Sequence, residues 1–262
     1  MKDVYVFLFM GQSNMAGRGI AKLAPKVNDG WAYEYRAVTQ PDMLVPLEEP
    51  FGAEENNPEG VYEPGMKTGS LVSAFVNSAY PVLRSPIIGV SCAKGGSSIN
   101  EWRPGGSYFN DGLARLQKCR KYLSAHQYRI INTYMAWCQG CTDGDNGMSR
   151  EEYRIKTEEF FMAFLEQGKI ECCFLIQIGN QRDEPELYKP IQDAQEELCA
   201  ENGKVIMVSR SFKTMAARGL MKDVFHYLQP AYNEAGAEAG ENAARYIKGN
   251  RGGTSNGDMA SK

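Results

Sequence analysis

The sequence predicts a three-layer α/β/α sandwich with a central parallel sheet, and two observations support this fold class. Short apolar runs alternate with longer amphipathic stretches from about residue 70 onward. The runs are continuously apolar, as strands are when helices cover both faces of their sheet. Strand–helix alternation of this kind is typical of parallel sheets, and 262 residues fit one large domain better than two.

Five apolar runs are predicted strands. The first lies behind a single lysine and superficially resembles a signal peptide, but Asp3 interrupts the basic region and the run is short. A buried strand therefore explains it better. The predicted strands are Val4–Phe9, Ile87–Cys92, Ile130–Trp137, Cys172–Ile178 and Val205–Val208.

Three helices are predicted from apolar residues that recur at spacings of three and four. One of them begins at Ser149, which is expected to form a capping box with Glu152. The stripes, in chain order, are Leu113, Leu116, Cys119 and Leu123; Tyr153, Thr157, Phe160, Phe161 and Phe164; and Tyr232, Ala235, Ala239, Ala243 and Tyr246.

Two regions depart from this alternation. Residues 20–68 contain six prolines and little periodicity, and a loop of this length is usually a functional wall or lid, or else a disordered insertion. We expect a loop-rich insertion beside the site. Residues 249–262 are polar and rich in glycine, and we expect a disordered tail. The single domain is therefore predicted to span residues 1–248.

Charge and cysteine content limit the classes of partner and the compartment. A formal net charge of −3 argues against nucleic acid as a partner, because phosphate binding relies on excess lysine and arginine. No run approaches the roughly 20 apolar residues that a membrane span needs. Seven irregularly spaced cysteines do not form a disulfide framework, so a cytoplasmic protein with reduced thiols is expected. A secreted or periplasmic protein whose signal peptide has been removed is the alternative, and oligomeric state is left open.

The residues that follow the predicted strands indicate a site. In a parallel sheet the carboxyl ends of the strands meet at one edge, where ligands bind. Small or amide-bearing segments follow four of the strands there, and they suit close backbone approach and hydrogen-bond donation. The side chains of Gln12 and Asn14 are predicted to contact substrate. The segments are residues 11–14, 93–98, 138–140 and 179–180.

A serine hydrolase also needs a base, and only two histidines are present. Ser13 follows the first strand on a glycine-preceded turn, and its hydroxyl needs a histidine within hydrogen-bond reach. His126 precedes a strand and is therefore expected at the opposite edge of the sheet. His226 lies after the last strand, and Asp223, three residues earlier, could bind its second ring nitrogen.

Acyl transfer further requires donors for the oxyanion that forms on the ester carbonyl. The candidates are the backbone N–H of Ser13, one N–H in the turn of Gly95 and Gly96, and the side-chain amide of Gln139. Glycine permits close approach, and a glutamine NH₂ group offers neutral, directional donation.

Four motifs follow one another along the chain: GQSNMAGRG at 11–19, CAKGGSSINEW at 92–102, WCQGCTD at 137–143 and DVFH at 223–226. In order and spacing they resemble the SGNH-type carbohydrate esterases of the sialate O-acetylesterase and acetylxylan esterase group. The resemblance covers nearly the whole domain, and its first motif is the specific one. It implies a flavodoxin-like SGNH hydrolase fold, and it implies no metal or organic cofactor.

The same resemblance implies a function. Ser13 would be the nucleophile, His226 the base and Asp223 its orienting carboxylate, with the oxyanion donors named above. The enzyme would remove O-acetyl groups from a small-molecule or oligosaccharide substrate, of the sialic acid or xylan type, through an acyl-enzyme. One residue departs from the family pattern: Cys141 stands where the third motif usually has glutamate.

Two other functions remain open at this point. Trp137 to Cys141 reads Trp-Cys-x-x-Cys, as in thiol redox proteins, although the residues after Cys141 predict a loop rather than a helix. No second pair of this spacing suggests a zinc site. A non-catalytic sugar-binding relative is the other possibility, in which loop residues stack on or pair with the sugar. The residues available for this are Trp102 and Arg103, with Arg18, Trp31, Tyr33, Tyr35 and Tyr108.

Overall fold

A computed structural model of the chain describes residues 1–252, and its centre is a sheet of seven strands in the order β3-β2-β4-β1-β5-β6-β7. All neighbours in the sheet are parallel except β2 and β3. The five predicted strands are confirmed, with ends that differ by up to two residues. The strands are β1 (Lys2–Gly11), β2 (Ala32–Tyr35), β3 (Leu44–Pro46), β4 (Ile87–Ala93), β5 (Tyr128–Cys138), β6 (Cys173–Ile176) and β7 (Val205–Ser209).

Helices cover both faces of the sheet. On one face α2 and α8 pack together, and on the other lie α3, α5 and α6. The three predicted helices are confirmed as α3, α5 and α8. The helices are α1 (Ser13–Ala16), α2 (Val72–Leu83), α3 (Ser107–Ala125), α4 (Cys141–Asp145), α5 (Arg150–Gly168), α6 (Lys189–Glu201), α7 (Phe212–Met215) and α8 (Gln229–Gly252).

Strand β1 shows why the apolar runs are continuous. Its alternate side chains enter different cores: one set packs under α2 and α8, and the other packs under α3 and α5. Both sets are fully buried, so no position from Val4 to Met10 is free for a polar residue. This confirms the predicted three-layer α/β sandwich. The first set is Tyr5, Phe7 and Phe9, and the second is Val4, Val6, Leu8 and Met10.

The register of the central strands aligns their carboxyl ends. Gly11 at the end of β1 lies opposite both Ala93 of β4 and Cys138 of β5. The segments that follow these three strands therefore begin side by side, at the same level of the sheet edge. This alignment places the Ser13 turn between the other two segments.

Three local predictions need correction. Residues 20–68 are loop-rich as predicted, but they also contain β2 and β3, whose lengths of four and three residues are too short to show a period. Cys141 begins the short helix α4, where a loop was predicted. Helix α8 continues through Gly249 to Gly252, so the predicted tail begins inside its last turn. The rest of that tail, 253–262, lies outside the described residues.

Helix α5 begins after Ser149, and half of the predicted capping box forms, since Ser149 Oγ accepts a hydrogen bond from the Glu152 amide at 3.2 Å. The Glu152 carboxylate accepts from Lys156 Nζ at 2.5 Å instead of from the Ser149 amide. Of the helices within residues 1–252, none is both long enough and apolar enough to cross a membrane.

Candidate active site

Three side chains form a hydrogen-bonded chain at the carboxyl edge of the sheet. Ser13 is the first residue of α1, directly beyond β1, and its Oγ lies 2.9 Å from His226 Nε2. The other ring nitrogen, Nδ1, lies 2.8 Å from Asp223 Oδ2. The structure thus brings together the three residues predicted as nucleophile, base and orienting carboxylate. His126 is exposed after α3, beyond the opposite end of the sheet, as predicted.

The loop that carries Asp223 and His226 is fixed from two sides. Asp223 Oδ1 accepts the amide hydrogens of Phe225 at 3.0 Å and His226 at 2.7 Å, which folds the loop around the carboxylate. Asn14 Nδ2 donates to the Phe225 carbonyl at 3.0 Å, and Asn14 Oδ1 accepts from Tyr232 at 2.7 Å. Asn14 is 1% exposed, so the prediction that it contacts substrate is wrong: both ends of its amide hold protein groups.

Burial and charge shift the pKa values of the pair in a consistent way. Burial lowers the pKa of His226 below the ordinary 6.5; the hydrogen bond and charge of Asp223 oppose this, and Arg18 and Lys222 add to it. Burial works to raise the pKa of Asp223, but hydrogen bonds from the Phe225 amide and from His226 outweigh it and leave that pKa lowered. At neutral pH the pair is therefore a neutral imidazole beside a carboxylate.

A cavity of about 430 Å³ opens over Ser13 and His226. Its walls come from the segments after β1, β4 and β5, from the Asp223 loop and, through Glu63 and Met66, from the 20–68 insertion. The lining residues are Gln12, Ser13, Arg18, Glu63, Met66, Lys94, Gly95, Gly96, Cys141, Thr142, Asp145, Phe225 and His226.

The backbone amides predicted as oxyanion donors differ in whether they already donate to a protein group. The Gly95 N–H donates to Glu63 Oε2 at 2.7 Å, so it is already engaged. The amides of Ser13 and Gly96 donate to no protein group within residues 1–252, and both residues line the cavity. Gly96 has a φ of +72°, a conformation that favours glycine. The geometry therefore leaves Ser13 and Gly96 as the available pair.

The prediction that Gln139 donates to the oxyanion is wrong. Gln139 is fully buried and does not line the cavity, and its Nε2 donates to the Ser97 carbonyl at 3.0 Å and to Asp143 Oδ2. Its Oε1 accepts from Tyr153 at 3.1 Å. Both polar groups of the Gln139 side chain are therefore hydrogen-bonded to other protein groups. Through the Ser97 carbonyl, Gln139 fixes the segment that follows β4.

Asp143 completes this internal connection. Its carboxylate accepts from Ser98 Oγ at 2.6 Å and from the Ile99 amide at 3.0 Å, in addition to Gln139. Burial raises the pKa of Asp143, while these hydrogen bonds oppose the rise. The third motif therefore ties the end of β5 to the Gly95–Ile99 segment and so fixes the turn that carries the Gly96 amide.

The remaining substrate-binding predictions have mixed outcomes. Gln12 lines the cavity, and its Oε1 accepts the Gly140 amide at 2.7 Å, so its contact with substrate stays a prediction. The prediction that Trp102 binds substrate is wrong, because the side chain is fully buried and packs against Trp137. Its Nε1 donates to Ser97 Oγ. Arg103 is exposed and lies outside the cavity lining, so its contact with substrate stays a prediction.

The sequence did not indicate three cavity residues, Glu63, Met66 and Asp145. Glu63 and Met66 belong to the insertion, where no periodicity marks a side chain as facing inward. Asp145 ends the short α4 helix, which was expected to be a loop, and its Oδ1 accepts from Tyr188 at 2.7 Å.

The environment of the cysteine pair disfavours a redox centre. Cys138 and Cys141 are free thiols and both are buried. Burial raises the pKa of Cys138 to about 12 and that of Cys141 well above its ordinary value, the reverse of what a reactive thiol needs. Within residues 1–252, no three histidine, cysteine, aspartate or glutamate side chains converge as metal ligands.

Comparisons with known proteins agree with this fold. A protein from Arabidopsis thaliana, solved at 1.6 Å resolution, superposes with a TM-score of 0.68 at 20% identity, over 92% of this chain and 98% of that one. A carbohydrate acetylesterase from Xanthomonas citri gives a TM-score of 0.59 at 14% identity, over 94% of this chain and 56% of that one. No curated protein sequence matches the chain.

The family model described as "carbohydrate esterase, sialic acid-specific acetylesterase" matches residues 3–245. The match begins in β1 and ends in α8, and so includes every segment that forms the cavity. The chain therefore belongs to this carbohydrate esterase family and is a carboxylic ester hydrolase of the acetylesterase type.

Proposed function

We propose that the protein is a serine esterase that removes acetyl groups from O-acetylated carbohydrate through an acyl-enzyme. One observation carries the proposal: Ser13, His226 and Asp223 form a continuous hydrogen-bonded chain whose serine faces a cavity. The family assignment supports acetyl esters and carbohydrates as the substrate class. An intact chain of this kind also argues against a non-catalytic sugar-binding protein.

In the first step, Ser13 Oγ attacks the acetyl carbonyl carbon while His226 Nε2 takes the hydroxyl proton. The carbonyl oxygen becomes an oxyanion, and the amides of Ser13 and Gly96 donate to it. His226 then returns the proton to the departing sugar oxygen as the ester bond breaks. The products of this step are a free sugar hydroxyl and acetyl-Ser13.

In the second step, water attacks the acetyl group on Ser13, and His226 accepts and returns one proton in the same way. Acetate is released and the serine hydroxyl is restored. Throughout both steps Asp223 accepts a hydrogen bond from the Nδ1–H group of His226. This bond keeps Nε2 free to accept a proton and stabilises the imidazolium that forms. This role fits the lowered pKa of Asp223, because the carboxylate must stay ionised while it acts.

The experiment is acetate release by Ser13→Ala and His226→Ala, with His126→Ala as the matched control. We expect either active-site variant to lose activity on the order of 10⁴–10⁶-fold while its melting temperature stays near that of the wild type. His126 is exposed and distant, so its variant should match the wild type. Full activity in Ser13→Ala would refute the proposal.

A second measurement identifies the nucleophile directly. A serine-reactive organophosphate should modify the wild type at Ser13, as seen by mass spectrometry of the digested protein, and should leave Ser13→Ala unmodified. Acetylated sialic acids and acetylated xylo-oligosaccharides, assayed in parallel, then distinguish the two types of substrate.

A further inference from the structure

An ion pair joins the two segments that carry the available oxyanion donors. Arg18 lies shortly after α1, the helix that begins at Ser13, and its Nη2 donates to Glu63 Oε2 at 2.8 Å. The same oxygen accepts the Gly95 amide at 2.7 Å, one residue before the amide of Gly96. A single carboxylate oxygen therefore connects the Ser13 segment to the turn that carries Gly96.

The ion pair is buried and is held in one arrangement. The two side chains are only 9% and 5% exposed. Arg18 Nη1 also donates to the carbonyls of Met66 at 2.9 Å and Gly17 at 3.2 Å, which fixes the direction of the guanidinium. The Glu63 amide donates to Asn56 Oδ1 at 2.9 Å, which fixes the backbone of the insertion at this point. Charge-assisted hydrogen bonds away from water are strong, so this arrangement opposes any displacement of the turn.

Gly95 lies in direct contact with the ion pair. A Cβ added there would lie 2.1 Å from Arg18 Nη2 and 2.6 Å from Glu63 Oε2, so the close approach requires glycine. The Gly95 carbonyl accepts from Lys94 Nζ at 2.7 Å, and both polar groups of the Gly95 backbone are therefore held. That carbonyl belongs to the peptide between Gly95 and Gly96. Because a peptide is planar, the direction of its C=O also sets the direction of the Gly96 N–H.

From these contacts we propose that Glu63 and Lys94 are positioning residues, which hold Gly95 from its two sides. They thereby fix the direction of the Gly96 N–H, one of the two amides that donate to the oxyanion in the proposed mechanism. The inference rests on the proposed function. Neither side chain has to touch the substrate, and the ion pair of Glu63 also fixes how far apart the two amides lie.

The test measures kcat and KM separately on p-nitrophenyl acetate for Glu63→Ala and Lys94→Met. The oxyanion forms in the transition state and is absent from the bound ester, so a displaced amide should lower kcat and leave KM unchanged. Since the outright loss of one donor costs about 10²–10³ in kcat, we expect a loss of about 10–100-fold for Glu63→Ala and at least about fivefold for Lys94→Met. Glu63→Gln keeps an acceptor for the Gly95 amide and should restore most of the rate lost in Glu63→Ala.

Methylboronic acid provides a second readout, which a purely structural role would not move. Its boron binds Ser13 Oγ and becomes tetrahedral, so the bound form resembles the oxyanion. Its inhibition constant should therefore rise in each variant by a factor similar to the loss in kcat/KM. The matched controls are Glu59→Ala and Lys121→Met, which change exposed residues of the insertion and of α3. Both controls should keep the kcat and the inhibition constant of the wild type.

Circular dichroism establishes that each variant is folded before its rates are compared. The inference is overturned if folded Glu63→Ala or Lys94→Met keeps kcat within about twofold of the wild type, or if the loss lies in KM while methylboronic acid binds as before. Lys94 is only half-buried, so Lys94→Met decides alone by the same criteria if Glu63→Ala does not fold. Failure of the proposed function looks different, because the wild type would then release no acetate or Ser13→Ala would still release it.

Discussion

His226 Nε2 and Ser13 Oγ lie 2.9 Å apart although 213 positions separate the two residues in the chain. Ser13 stands at the end of the central strand β1, and His226 precedes α8, which packs back over the sheet beside α2. Asn14 and Tyr232 join these two parts directly, through a hydrogen bond of 2.7 Å. The contact between nucleophile and base thus depends on the docking of the last helix.

The pH dependence of activity should report the pKa of His226. The base must be neutral, so kcat/KM rises with pH through this pKa and then stays level. Because burial lowers the pKa below 6.5, we expect the midpoint below pH 6.5. Initial rates on p-nitrophenyl acetate between pH 4 and 8 measure it, and His126→Ala should leave the midpoint in place. A midpoint above 6.5 would show that the burial of His226 is not the dominant influence.

Gln139→Ala should behave as a structural variant. The substitution removes the donor to Ser97 and Asp143, so we expect the free energy of unfolding to fall by about 1–3 kcal/mol in urea. The folded fraction should lose less than about tenfold in kcat. An oxyanion donor would give the opposite result, a loss of about 10²–10³ in kcat with unchanged stability.

Arg115→Met should strongly destabilise the protein. Arg115 is 1% exposed; it donates to Asp111 at 2.9 Å and lies 3.9 Å from Glu55. Its removal leaves two buried carboxylates without their cation, for which we expect a loss of about 3–5 kcal/mol in urea unfolding. Arg245→Met breaks an exposed pair with Glu241 on α8 and should change stability little. If the two substitutions lowered the free energy of unfolding equally, burial of the ion pair would not explain the loss expected for Arg115→Met.

Cys138 and Cys141 should be unreactive in the folded protein. Burial raises both pKa values, so a thiol reagent such as 5,5′-dithiobis(2-nitrobenzoate) should not modify either residue at pH 7.5. In urea both should react, and peptide mapping locates the modified residues. Recovery of a Cys138–Cys141 disulfide from the native protein after mild oxidation would restore the redox hypothesis.

The sequence predicted most of the fold and the reacting groups because these depend on patterns that act locally. The continuous apolar runs reflect burial on both faces of β1, β4 and β5. Ser13 was found from a turn after a strand, and His226 by comparing which edge of the sheet each histidine would reach.

What the sequence did not predict depends on the orientation of single side chains. Gln139 lies at the carboxyl edge of the sheet, as predicted, but its side-chain amide points into the protein. There it is hydrogen-bonded to Asp143, Ser97 and Tyr153. Glu63 lies in a segment without periodicity, where its place is set by contacts distant in sequence. The Val61 amide, for example, is bound by Asp111 of α3 at 2.9 Å.

Strand β3 affects how molecules of this protein can associate. It forms one border of the sheet and is three residues long, and it ends in Pro46, which has no N–H to offer another chain. A second sheet could therefore gain few backbone hydrogen bonds there. The insertion that brings Glu63 to the cavity thus also disfavours aggregation through edge-to-edge strand pairing at β3.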